Sequence, residues 1–155
     1  MSALEALGAA KAAGVRLILD GGDIIAEAPK LPPDIVDLLR SVKPDLTRIL
    51  MCRDAARNVF SATAPPDCSE ERWTIALRGL RRFLVEGWGD RAALLGWTPE
   101  ELYRVPPLWC RVDLAGAALI IGDRRVVAVT EASIAIEAHS GSRLKFRRIG
   151  REHVA

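Results

Sequence analysis

An α+β fold in two small parts is what the 155-residue sequence predicts, and three observations carry that reading. Apolar residues recur at three- and four-residue steps through residues 3–13, 35–59 and 73–84, the spacing of amphipathic helices. Between the first two of these lies a short alternating segment broken by Asp20-Gly21-Gly22-Asp23, the composition of a hairpin turn. From Arg111 onward the pattern changes to short alternating runs punctuated by glycine, which read as antiparallel strands.

The elements follow in order. Leu4 and Leu7, set among Ala3, Ala6, Ala9, Ala10 and Ala13, predict a short helix closed by Gly14. Val15, Leu17 and Leu19 alternate with Arg16 and Ile18, and Ile24 to Ala28 reads as the return strand of a two-stranded hairpin. An isolated hairpin is marginal in water, so this one must pack on helices. Pro32-Pro33 opens the next helix, in which Ile35, Leu38 and Leu39 share a face. Pro44 starts another, with Leu46, Ile49, Leu50 and Val59 at helical spacing.

Ser61-Ala62-Thr63-Ala64-Pro65-Pro66-Asp67 is small, polar and Pro-rich, which predicts a linker. The expected organisation is a unit over residues 1–60, a linker over 61–69 and a helix-plus-sheet domain over 70–155. Ser69-Glu70-Glu71-Arg72 has the composition of a helix start, and Trp73, Ala76, Leu77, Leu80, Phe83 and Leu84 form the strongest helical stripe in the chain. Gly87-Trp88-Gly89 interrupts it, Asp90 is placed to cap a short helix through Leu95, and Thr98-Pro99 opens one more. Pro106-Pro107 closes the helical region, and strands are expected at Ala117 to Ile121, Val126 to Thr130, Ile134 to Glu137 and Leu144 to Arg148.

Composition sets the broad class. Half of the residues are hydrophobic and 27% are charged, as in a folded globular domain and unlike a disordered chain. No apolar run approaches the roughly 20 residues that span a bilayer, and Met1 to Gly14 lacks a charged segment followed by an apolar core, so a cytoplasmic protein without a membrane partner is expected. Cys52, Cys68 and Cys110 are odd in number and far apart, which points to reduced thiols rather than a disulfide framework or a metal site. The net charge of +2 is unevenly spread: residues 111–155 carry eight basic and five acidic side chains, with Arg143, Lys145, Arg147, Arg148 and Arg151 uninterrupted by an acid.

The stretch from Gly14-Val15-Arg16-Leu17 through the Asp20-Gly21-Gly22 turn, the Ala28-Pro29-Lys30 exit and the helix pair from Pro32-Pro33 resembles the N-terminal docking domains of the TubC type. These join subunits of non-ribosomal peptide synthetase and polyketide synthase lines. The resemblance covers about the first third of the chain and implies an α-β-β-α-α fold, often dimeric, so the expected partner is a short peptide segment of another protein captured beside the hairpin, or a second copy of the chain through that hairpin. The remainder is similar to uncharacterised stand-alone bacterial proteins, some from mobile-element neighbourhoods. Capture of this kind is β-augmentation: the main chain of Ile24, Ile25 and Ala26 would supply hydrogen bonds, and Arg16 and Lys30 would pair with acidic groups of the partner. Trp88 and Trp97, if together at the surface, would form an anchor pocket for it. Trp73 lies on an apolar helical stripe and reads as core.

Catalysis finds no support in the residues. His139 and His153 fall in a turn and in the tail, no GxSxG, HExxH or CxxC pattern occurs, and Cys110 has no partner at motif spacing. The Asp20-Gly21-Gly22-Asp23 segment leads into a strand, whereas a phosphate loop leads into a helix, so no cofactor is expected there. The alternative function is nucleic-acid binding. Arg143, Lys145 and Arg147 alternate with Leu144 and Phe146, which sets three cations on one face of a strand, with Arg148 beside them.

Overall fold

The computed structural model describes residues 2–66, 68–103, 124–138, 141 and 143–148, and within them the chain is α+β. It divides into two compact units, Met1–Met51 and Cys52–Ala155. The first has the order α1 (Ala3–Ala12), β1 (Arg16–Asp20), β2 (Asp23–Glu27), α2 (Pro33–Ser41) and the start of α3 (Lys43–Ser61). The division falls inside α3; of the Pro-rich stretch expected as a linker, Ser61 closes α3 and residues 62–66 are irregular.

Local chemistry explains each boundary of the first unit. Ser2 caps α1 by accepting from the Glu5 N–H at 3.2 Å. At the other end Gly14 takes a φ of +73°, and this left-handed residue lets its own N–H donate to Lys11 O and the Val15 N–H donate to Ala10 O. That turn aims the chain directly into β1. β1 and β2 pair antiparallel with Leu17 opposite Ala26, Ile18 opposite Ile25 and Leu19 opposite Ile24. The Gly21-Gly22 loop between them has two residues, and Gly21 alone holds a positive φ, of +60°. Pro32 stands at the N-cap of α2 with Pro33 first in the helix, where a missing N–H costs nothing. The core of this unit is Ala6, Ala10, Val15, Leu39, Leu46 and Leu50, against which Leu17, Leu19, Ile24, Ala26, Ile35 and Leu38 pack. The hairpin thus buries one face, as its instability alone requires.

The second unit holds the rest of α3, then α4 (Glu70–Val85), α5 (Trp88–Leu94), α6 (Pro99–Tyr103) and a three-stranded antiparallel sheet of β3 (Arg124–Val129), β4 (Ser133–Ala138) and β5 (Arg143–Arg147) in sequential order. Ser69 caps α4 by accepting from the Arg72 N–H, and Trp73, Ala76, Leu80 and Phe83 are buried along its stripe. Asp90 does not cap α5. The helix begins two residues earlier, at Trp88 after Gly87 with φ +81°, and the Asp90 carboxylate instead takes a bidentate pair from Arg53 at 3.0 and 2.8 Å. Thr98 and Glu101 form a reciprocal capping box at the start of α6. The expected strand at Ala117 to Ile121, the Pro106-Pro107 break, Trp109, Cys110, His139, Arg151 and His153 lie outside the described residues.

Candidate docking surface

The hairpin sets two different faces and two backbone edges. Leu17, Leu19, Ile24 and Ala26 turn inward to the core, so Arg16, Ile18, Asp20, Asp23, Ile25 and Glu27 occupy the outer face. Ile18 and Ile25 stand directly opposite each other there, and Ile25 is 41% exposed. Arg16 opposes Glu27 at one end, while Asp20 opposes Asp23 at the other, where Lys43 reaches Asp23 at 3.8 Å. Lys30 is exposed just beyond β2.

A two-residue loop makes Asp20 and Asp23 the hydrogen-bonded pair that closes it, and bonded and non-bonded pairs then alternate. Arg16 with Glu27 and Ile18 with Ile25 are therefore bonded pairs. Leu17 and Leu19 on β1, and Ile24 and Ala26 on β2, direct their N–H and C=O groups away from the hairpin. The sheet has only these two strands, and no other backbone partner meets those four residues among the described residues. Such edges accept a further strand. Ile24 and Ala26 thus offer main chain, and Ile25 offers its side chain. Ile18 completes the outer apolar pair and was not expected as a contact; its alternation with Leu17 and Leu19 was the signal.

The tryptophan pocket requires a correction. Trp97 is only 4% exposed, and its indole N–H donates to Thr130 O at 2.7 Å, so it belongs to the core and cannot line a surface pocket. The cause is the end of α5. Gly96, at φ +91°, allows its N–H to reach Ala93 O while the Trp97 N–H reaches Ala92 O, and this closing motif turns the indole inward. Trp88 is half-buried, with its N–H on Glu86 and the Arg91 guanidinium 4.8 Å above its ring.

Arg148 also requires one. It is 4% exposed and stacks 4.9 Å from the Trp97 ring centre. Its Nε and Nη2 donate to the two Glu101 oxygens at 2.7 and 2.6 Å, and further donors reach Glu131 O and Gly96 O at 3.0 Å each. A guanidinium so enclosed cannot meet a phosphate. Arg143, Lys145 and Arg147 are exposed on one face, as the alternation requires. Arg125 joins that face through its register with Glu137, which itself pairs with Arg143 at 2.9 Å. Four cations and one acid result, and the strand register of Arg125 was not legible without β4.

The buried polar groups of the second unit are held in unreactive states. Burial, then the negative charge of Asp90, Glu100 and Glu101, pushes the Cys52 thiol up to about 12, and its Sγ lies 3.7 Å from Trp97 O. A thiol so shifted is a poor source of thiolate. The Tyr103 hydroxyl is also raised, by burial first and then by Cys52 and Asp90, and it has no hydrogen-bond partner among the described residues. It faces Gly89, where any side-chain carbon would collide with it. No group of three or more metal-ligating side chains and no helix long and apolar enough to cross a membrane occurs among the described residues. Compared with known proteins, the chain matches no family model, and neither a curated protein nor a solved structure is significantly similar to it.

Proposed function

We propose that this chain is a non-catalytic docking adaptor of the cytoplasm, whose first unit captures an extended peptide segment of a partner protein along the outer edge of β2. The observation that carries this reading is the open β2 edge, with the outward main chain of Ile24 and Ala26 beside the exposed Ile25. The α-β-β-α-α order of the first unit, the one that the TubC-type resemblance implies, supports it. So does the distribution of apolar surface: of the five exposed large hydrophobic side chains among the described residues, Leu4, Ile25, Leu31 and Met51 lie in the first unit. The captured strand would place an apolar residue beside Ile25, and cationic residues would suit the acidic Asp23 and Glu27 that flank it. Arg16 and Lys30 remain available to acidic groups of the same partner.

Ala26→Pro tests the edge. Ala26 sits in a non-bonded pair with Leu17, so proline removes an outward donor while leaving the hairpin's own ladder in place. Capture from host lysate after nuclease treatment is expected to recover a protein with the native chain and to lose it with a folded Ala26→Pro variant. An unchanged catch would rule out β-augmentation at this edge.

A second reading rests on the exposed face of Arg125, Arg143, Lys145 and Arg147, which suits a phosphate backbone. Here the expectation is salt-sensitive binding of a labelled oligonucleotide that the double change Lys145→Glu and Arg147→Glu abolishes. Binding that persists in that variant would remove this face from consideration.

A further inference from the structure

Exposed arginines on the helices fall into two groups. On α2 and α3, Arg40, Arg48 and Arg57 each reach an aspartate three residues earlier, Asp37, Asp45 and Asp54, at 3.9, 3.5 and 3.2 Å. The second half of α4 is built otherwise. Thr74, Ile75, Arg81 and Arg82 stand three and four positions from Arg78, and Leu77, Arg78, Leu84 and Val85 stand so from Arg81. Neither arginine has an acid one helical turn away, and each has another arginine there, an arrangement that destabilises a helix. Arg91 on α5 has no acid at these spacings either. All three side chains are exposed, and no carboxylate lies within ion-pair distance of them among the described residues.

Two of these cations lie on aromatic rings instead. The Arg81 guanidinium sits 5.5 Å from the ring centre of Phe60, near the end of α3, and that of Arg91 sits 4.8 Å from the ring centre of Trp88. A guanidinium laid on a ring keeps its edge donors free, and the stacking holds the fork in place before a carboxylate arrives. Val85 follows Arg81 by one turn on the same face of α4 and, at 82% exposed, is the most exposed large hydrophobic side chain among the described residues. Trp88 is tied to this end of the helix by its N–H on Glu86. Arg78, Arg81 and Val85 thus form a stripe opposite the buried Trp73, Ala76, Leu80 and Phe83, with two cations about 4.5 Å apart along the axis and an apolar residue about 6 Å further on.

We propose that this face of α4 docks an acidic helical segment of a partner protein, with carboxylates one turn apart on Arg78 and Arg81 and an apolar side chain against Val85. The charges are complementary, and a partner helix repeats the three- and four-residue spacing of the stripe, so all three contacts form in one register. Carboxylates from outside supply the counter-charges that α4 lacks and offset the repulsion between its arginines. Nucleic acid offers no apolar group to Val85, and the exposed Glu86 beside it repels a phosphate. An anionic bilayer would receive Val85 alone, because Phe60 and Trp88 are half-buried beneath their arginines. The surface belongs to the second unit and uses no residue of the hairpin, so the inference goes beyond capture at β2 and gives the adaptor a second docking surface.

Fluorescence anisotropy of the full-length chain with a labelled, alanine-based helical peptide tests it. The peptide carries Glu at i and i+3 and Leu at i+7, and a control carries Gln for each Glu. The acidic peptide is expected to bind with an affinity that falls as salt rises, and the control to bind about 10-fold more weakly. Arg78→Glu with Arg81→Glu is expected to weaken the acidic peptide by about 30-fold and to gain binding of a peptide with Lys in place of Glu, a recovery that a misfolded variant cannot give. Ala26→Pro should bind the acidic peptide like the native chain, so a failure of capture at β2 is distinguishable from a failure at α4. No binding of the acidic peptide up to millimolar concentration, equal binding of the control, an unchanged affinity in the α4 double variant, or a loss confined to Lys145→Glu with Arg147→Glu would each overturn the proposal. Tighter binding of duplex DNA or of phosphatidylserine vesicles, abolished by the α4 double variant, would overturn it in favour of that surface.

Discussion

Arg148 is surrounded by more partners than a surface cation needs, and its pair with Glu101 is unequal in exposure. The arginine side chain is 1% exposed and the glutamate 26%. Removing Glu101 strands a buried guanidinium, whereas removing Arg148 leaves a carboxylate that still holds the Thr98 N–H and reaches water. Glu101→Ala should therefore cost about 3–5 kcal/mol, and Arg148→Met, which keeps the apolar stack on Trp97, should cost clearly less; urea unfolding of the two variants decides the order. Burial alone would raise the Glu101 pKa, but hydrogen bonds from Arg148 and Thr98 outweigh it and hold the carboxyl below its ordinary value. The pair's contribution to stability is therefore complete above the unfolded carboxyl pKa of about 4.3 and is lost as pH falls through the lower folded value. Glu101→Gln should flatten stability over that acid window. The sequence carried half of this. Arg148 is out of phase by one with Arg143, Lys145 and Arg147, so on an extended strand it faces the other way, while its distant partner Glu101 had no local signature beyond the capping box.

The hairpin turn separates conformation from packing at the level of one element. A Cβ added at Gly21 or at Gly22 would meet nothing within 4 Å, yet only Gly21 has a positive φ. Gly21→Ala should accordingly destabilise the first unit by about 1–2 kcal/mol through backbone strain, while Gly22→Ala should change the unfolding midpoint little. Equal effects would show that Gly21 does not hold its positive φ in solution. Turns and caps of this kind were readable because their chemistry is local: Gly14, Ser69, Thr98 and the Asp20 to Asp23 segment all act within a few residues of themselves. Asp90 was misread for the opposite reason. Its composition suited a cap, but Arg53, 37 positions away, claims its carboxylate, and no local pattern announces that pairing.

Across the whole molecule, the α+β class and the element order were legible from periodicity, because a helix stripe or a strand alternation is imposed by whichever face is buried. The division between the compact units falls inside α3 between Met51 and Cys52, well past Pro44 at the helix start, where nothing local marks it. Trp97 shows the same limit: aromatic residues suit cores and interfaces alike, and only the turn at Gly96 decides between them. Docking through the main chain of β2 is read residue by residue by amide hydrogen exchange. In the free protein the Ile24 and Ala26 amides should exchange fast while that of Ile25, bonded across to Ile18, is protected; with the captured partner bound, Ile24 and Ala26 should become protected as well. Fast exchange at both positions in the complex, or protection of both in the free chain, would contradict docking at this edge.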